Sequence, residues 1–297
     1  ITGAQCSFSV GAIQENKETI LNCFEEAESV ESDIVIFPEL AITGYPPEDL
    51  LLRESFIGKN FAVLEEIAAF SSQTSGVIGF VDRKNDPHNQ DNNKRTIANA
   101  AAIVQNGDVR GIYHKSFLPN YSVFDEARYF SKGTEPNTLF WYDDIAIGIN
   151  ICEDIWIEDG PAEEQVKQGA SLIININASP YDIHKSETRK EIVMKKALKL
   201  NVPIIYLNMV GGQDELVFDG GSFVVNDLGE IIYQASSFKE EVFHLDIDLR
   251  TNKQNDKSPL IIRPKTIELK DVESKASLSK NESIYSALKL GLKDYVR

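Results

Sequence analysis

An α/β fold built on a mixed sheet is predicted for this 297-residue chain by three observations. Strand-like and helix-like runs alternate through most of its length. Hairpin signals interrupt the alternation, which does not fit a pure parallel barrel. Several apolar strand-like runs also stop abruptly in polar residues that would be costly to bury.

Residues 4–10 read as a short strand, followed by an amphipathic helix over 17–30 and a strand over 34–37. Pro46 and Pro47 open a long helix over 49–70, because proline is tolerated before and within a first turn. Strands follow at 77–81, Thr96–Gln105 and 109–114, with Asn106-Gly107 as the hairpin turn between the last two. The β-branched run Ile145–Ile151 is a buried strand, and a helix starts near Pro161. Another apolar strand covers 172–176, with a helix over 187–200 behind it and a strand over 203–207 after that. Residues 223–226 and Ile231–Gln234 form a hairpin around Asp227-Leu228-Gly229. Beyond Asp248 the segments 250–258 and 269–283 are rich in Lys, Asn, Ser, Asp and Glu, and read as linker or surface-wrapping chain. Helical spacing returns at Ile284, Leu288 and Leu292.

A net charge of −16 argues against a nucleic-acid partner, since a phosphate backbone demands a basic footprint. No apolar run approaches the ~18–20 residues that cross a bilayer, so no membrane is expected. The first residues carry no basic region, and no signal peptide is visible. The cysteines are Cys6, Cys23 and Cys152, a sparse and odd set that points to a reducing cytoplasm rather than a disulfide framework. Cys6 and Cys23 read as core. His88, His114, His184 and His244 are scattered and no CxxC pair occurs, so no metal site is expected. Lys195, Lys196 and Lys199 share a helix with Glu191 and read as a solvated face.

One local pattern recurs. The runs 34–39, 149–152, 173–179 and 204–208 each carry an apolar strand into Glu, Cys, Asn or Ser. If these strands are neighbours, their ends converge on one crevice. Cys152 ends the second run and is followed by Glu153 and Asp154. A cysteine there is either a small buried hydrophobe or a nucleophile at a strand end, where α/β sheets present reactive groups. A nucleophilic thiol needs a base, usually His, yet none of the four histidines sits at an obvious strand end. Glu39, ending its own strand behind Pro38, is the alternative, while Lys115, between His114 and Ser116, reads in isolation as a surface lysine.

The segments Phe37-Pro38-Glu39-Leu40, His114-Lys115 with Leu118-Pro119, and Asn150-Ile151-Cys152-Glu153-Asp154 resemble, in order and spacing, the three motifs of the nitrilase superfamily of carbon–nitrogen hydrolases. The resemblance implies a four-layer α-β-β-α sandwich, with Glu39 as general base, Cys152 as nucleophile and Lys115 steadying the tetrahedral intermediate. Glu126 would be an additional carboxylate near the lysine, and Glu153 a supporting residue. The longer stretches 43–52, 118–130, 177–181 and 211–222 are similar to the glutaminase domain of the bacterial glutamine-dependent NAD synthetase family. That likeness implies hydrolysis of glutamine through a thioester, with Tyr121, Ser179 and Lys185 binding the substrate.

The same likeness implies domain boundaries at 1–249 for the glutaminase, 250–282 for a linker and 283–297 for the start of a truncated ATP-dependent synthetase domain. No Ser-Gly-Gly-x-Asp-Ser pyrophosphate loop occurs in this chain. The glutaminase half is expected to need no cofactor, whereas ATP, magnesium and deamido-NAD belong to the missing domain. Expected partners are glutamine, that synthetase domain and further copies in a homo-oligomer. The glycines at 211–212 and 220–221 read as tight turns lining the pocket or facing a partner domain. An aliphatic amidase and a non-catalytic docking module are the alternatives.

Overall fold

The computed structural model describes residues 1–84, 96–134, 139–247, 249 and 278–296. Two six-stranded sheets stack face to face, with helices on both outer faces. In the first sheet the parallel strands β1 (Thr2–Gln5), β2 (Ile34–Ile36) and β3 (Ser75–Lys84) are extended by the antiparallel β4 (Thr96–Gln105) and β5 (Asp108–His114). The second sheet has a parallel centre of β7 (Ile145–Ile151), β8 (Leu172–Asn177) and β9 (Ile204–Asn208). Strand β6 (Leu139–Tyr142) pairs antiparallel with β7 on one side, and β12 (Phe223–Val225) and β13 (Ile231–Gln234) complete the other. Strand β14 (Glu241–His244) returns to pair antiparallel with β1.

The unbroken apolar runs of the central strands follow from this layering, because each strand is covered on both faces. Ile36, Val77, Ile103, Ile149, Ile174 and Leu207 meet between the sheets. Helices α1 (Ile13–Ser29) and α2 (Glu54–Phe70) cover the first sheet through Ile20, Phe24, Leu64 and Ile67. Helices α4 (Pro161–Lys167) and α5 (Lys185–Leu200) cover the second through Ala162, Val193 and Ala197. The result is the expected α-β-β-α sandwich.

Several sequence expectations shift. The first strand is β1 at 2–5 rather than 4–10, since its partners β2 and β14 end there and Cys6 instead accepts Val210 N–H. The helix expected over 49–70 is split at Arg53, where the backbone is extended between a 3₁₀ turn, Glu48–Leu52, and α2. Lys195 does sit on an exposed face with Glu191, but Lys196 is buried. Its ammonium reaches the Ile157 carbonyl at 2.6 Å and Glu163 Oε1 at 3.0 Å, because this face of α5 abuts α4. Cys6 and Cys23 are core residues, their sulfurs 3.8 Å apart.

The Gly211-Gly212 pair is not a turn but part of β10 (Val210–Gln213), which pairs with β11 (Leu216–Asp219) as a two-stranded ribbon. The terminal helix α6 (Lys280–Tyr295) lies on it, starting three residues before the expected 283. A Cβ on Gly212 would come within 3.1 Å of Gly291 Cα, so the ribbon and α6 meet glycine to glycine. The linker expectation falls, from 250 to 277, outside the described residues. No described helix is long and apolar enough to cross a membrane.

Candidate active site

The three carboxyl ends of β7, β8 and β9 lie side by side, and the turn after β2 faces them from the opposite sheet. Glu39 sits in that turn, 1% exposed. The turn presses onto β3 at Gly79, where a Cβ would stand 2.2 Å from the Pro38 carbonyl oxygen. Glycine is required there by contact, and Leu40 completes the bend at φ +50°. Glu39 Oε1 accepts from Lys115 Nζ and from Asn99 Nδ2, each at 2.7 Å. Its Oε2 accepts from the Ala178 N–H at 2.8 Å, just past β8. The carboxylate therefore spans the two sheets.

Lys115 follows β5 and is fully buried. Its ammonium also donates to Glu126 Oε1 at 2.7 Å. Glu126 opens α3 (Glu126–Tyr129) and receives a second hydrogen bond at Oε1 from the Tyr45 hydroxyl at 2.9 Å. Burial alone would drive the ammonium toward neutrality, but the Glu126 and Glu39 carboxylates outweigh it and hold Lys115 above its ordinary range.

Cys152 directly follows β7 and stands at φ +45°, a left-handed conformation that non-glycine residues avoid without strong local enforcement. The enforcing group is Asp154. Its Oδ2 accepts from Ile151 N–H at 3.1 Å and the Tyr113 hydroxyl at 2.8 Å. Its Oδ1 accepts from the main-chain N–H groups of Ser116 at 3.1 Å and Phe117 at 2.9 Å. One buried carboxylate thus ties the cysteine turn to the lysine loop. Burial pushes the Cys152 thiol up, the Glu39 charge adds to that, and Lys115 opposes both.

Glu126 is pushed from 4.5 to about 7, and Asp154 from 3.8 to about 6, in both cases chiefly by burial against opposing hydrogen bonds or charge. A carboxyl raised in the folded state binds more protons there than when unfolded. Its contribution to stability is complete below the unfolded value and is lost as pH rises through the folded one. Thermal melts should therefore give a higher Tm at about pH 5 than at about pH 8. Glu126→Gln should flatten that difference, and an unchanged pH dependence in that variant would remove Glu126 as its source.

Tyr121, Glu153 and Lys185 occupy a more exposed rim. The Tyr121 hydroxyl donates to Glu153 Oε2 at 2.9 Å, and Tyr121 packs edge-on against Phe124. Lys185 begins α5 with its ammonium 5.2 Å from the Phe124 ring centre. Burial lowers the Lys185 ammonium, while the Cys152 charge acts in the opposite sense. Ser179, one residue past the Ala178 N–H that holds Glu39, is buried, and its hydroxyl oxygen and carbonyl accept from Arg189 Nη2 at 3.1 and 2.8 Å. All eight residues singled out in the sequence lie in or around one site, four in the buried cluster and four around it.

Other members of the site were not singled out by role in the sequence. Tyr45 and Asn99 reach Glu126 and Glu39 from distant parts of the chain. Arg189 pairs with Asp219 through both carboxylate oxygens, at 2.8 and 2.9 Å. An amide inside the apolar run Ala98-Asn99-Ala100 was the one hint available. Among the described residues no group of three or more His, Cys, Asp or Glu is placed to hold a metal ion.

Comparison with known proteins places this geometry. The chain is 37% identical over 313 aligned positions to a glutamine-dependent NAD(+) synthetase of Aquifex aeolicus, covering 100% of the chain and 53% of the relative. It is 38% identical to the enzyme of the same description from Thermotoga maritima, again covering 53% of it. The structure of glutamine-dependent NAD+ synthetase from Acinetobacter baumannii superposes with a TM-score of 0.82 at 36% identity, over 99% of this chain and 52% of that one. An amidase of the nitrilase superfamily from Nesterenkonia shares the fold at a TM-score of 0.69 and 20% identity, covering 81% of this chain and 87% of its own. The chain spans about half the length of the curated relatives it matches. With a carbon-nitrogen hydrolase profile matching residues 2–254 over this sandwich and its buried Glu39–Lys115 pair beside Cys152, the chain belongs to the carbon-nitrogen hydrolase family.

Proposed function

We propose that this chain hydrolyses the side-chain amide of glutamine with Glu39, Lys115 and Cys152, through a glutamyl thioester. The observation that carries the reading is the buried carboxylate–ammonium pair, 2.7 Å apart, beside a cysteine held at a strained strand end. Glu39 takes the proton from the Cys152 thiol as the sulfur attacks the amide carbon. Lys115 has three N–H donors, two of them committed to Glu39 and Glu126, and directs the third at the oxyanion. Glu39 then returns the proton to the departing nitrogen, and ammonia leaves. Water attacks the thioester, Glu39 accepts its proton and passes it to the leaving sulfur, and the thiol reforms as glutamate departs. The net reaction is glutamine and water to glutamate and ammonia.

Tyr121, Ser179 and Lys185 would hold the amino-acid end, with the Lys185 ammonium suited to its carboxylate and Glu153 to its ammonium. Glutamine is favoured as substrate by the names of the relatives, which are glutamine-dependent. In the same reading the ammonia feeds a synthetase domain that amidates deamido-NAD with ATP and magnesium, in a cytoplasmic homo-oligomer.

The test is ammonia release from glutamine by this chain beside Cys152→Ala. The variant should lose at least about 10³-fold in kcat, and glutamine should protect Cys152 of the unaltered chain from alkylation. Faster turnover of simple aliphatic amides than of glutamine would defeat the substrate assignment.

A further inference from the structure

We propose that Asn99 is a positioning residue that keeps Glu39 a proton acceptor and holds it in register with Lys115. The inference rests on Glu39 acting as the base. Asn99 lies within β4, fully buried and paired opposite Val81 of β3. Its Nδ2 donates to Glu39 Oε1 at 2.7 Å, while its carbonyl accepts from the Lys115 main-chain N–H at 2.9 Å. One residue thus touches the base through its side chain and the lysine through its backbone.

The side chain is an expensive choice for packing alone. Its Oδ1 has no hydrogen-bond partner among the described residues, and a buried acceptor left unpaired lowers stability. Leucine, of similar size, would avoid that cost at an otherwise apolar strand position. Among the described residues, the side-chain hydrogen bond that repays an amide here is the donation to Glu39. A donor to a carboxylate favours its ionised form, the form that takes a proton from a thiol.

The surroundings make a neutral donor useful. Titratable groups facing Glu39 are Lys115 after β5, Glu126 at the start of α3, Cys152 after β7 and Tyr45 from the segment before α2. Glu126 and Cys152 add negative charge near Glu39 as pH rises, and Lys115 is the cation bonded to Glu39 that opposes them. Asn99 and the Ala178 N–H supply donors that do not change with pH.

The experiment follows ammonia release from about pH 5 to about pH 9 in the unaltered chain, Asn99→Leu and Asn99→Asp, each with a thermal melt. Asn99→Leu should keep its Tm, lose roughly tenfold in kcat near neutral pH with KM little changed, and shift the acid limb of kcat/KM upward by about one pH unit. Asn99→Asp, nearly isosteric, sets a second carboxylate against Glu39 and should move the limb further in the same direction. The same series read on alkylation of Cys152 by iodoacetamide needs no glutamine, so a wrong substrate leaves the inference tested. An acid limb that stays in place in either folded variant overturns it, as does a loss expressed only in KM. Full activity in Glu39→Gln would instead defeat the base assignment itself.

Discussion

Lys115→Met should abolish measurable ammonia release and cost about 3–5 kcal/mol of stability, the range for breaking a buried ion pair by removing one partner. Lys115 is the cation bonded to both Glu39 and Glu126, and all three side chains are essentially out of water. Without it two buried carboxylates face one another with no cation bonded to both. One of them must take up a proton, and Glu126, already raised to about 7, is the group placed to do so. The stability loss should therefore be larger at about pH 8 than at about pH 5, where that proton is readily available. Pairing the change with Glu126→Gln removes the second carboxylate and should recover part of the Tm. It should recover none of the activity, since the donor for the oxyanion is still gone, a loss of roughly 10²–10³-fold by itself. Equal melting temperatures for the single and double variants would mean that the two carboxylates do not repel as their geometry requires.

The second large effect is expected at Arg189, which no step of the chemistry touches. Its guanidinium grips both oxygens of buried Asp219 with Nη1. Nη2 donates to the Ser179 carbonyl and hydroxyl and to the Pro180 carbonyl, the last at 2.8 Å. Arg189→Met leaves the carboxylate without a cation and three oxygens without their shared donor, so a loss of about 3–5 kcal/mol is expected from chemical denaturation. Arg189→Lys should rescue little, because a point charge cannot hold Asp219 and the 179–180 carbonyls together. Activity should fall as well, since the Ala178 N–H that holds Glu39 is next to the released segment. A folded Arg189→Met variant with full ammonia release would show that Ala178 keeps its place without this anchor.

The amino-acid sequence by itself determined the α/β character of this protein and its candidate site residues. Unbroken β-branched runs such as Ile145–Ile151 are legible as buried strands, whereas the stacking of two sheets was implied by the likeness of the motifs to a known family. Glu39 and Cys152 each sit where an apolar strand-like run ends in a polar group, a contradiction between pattern and burial that is visible locally, whereas Lys115 stood out only through its likeness to a family motif. Element ends were less legible, as at Arg53 and after Gln5, because pairing partners and packing decide where a strand or helix stops.

Only the tertiary structure decided which charges are buried together. Lys196 and Lys195 are neighbours on one helix, yet one is buried against Glu163 and the other is exposed. The donors that hold Glu39, from Asn99 and the Ala178 N–H, come from positions 60 and 139 residues away, and Arg189 meets Asp219 across 30. Such pairings have no periodicity and no fixed spacing. They exist because folding removes water from both partners at once, and a buried charge must then find its counterpart wherever the chain has brought it.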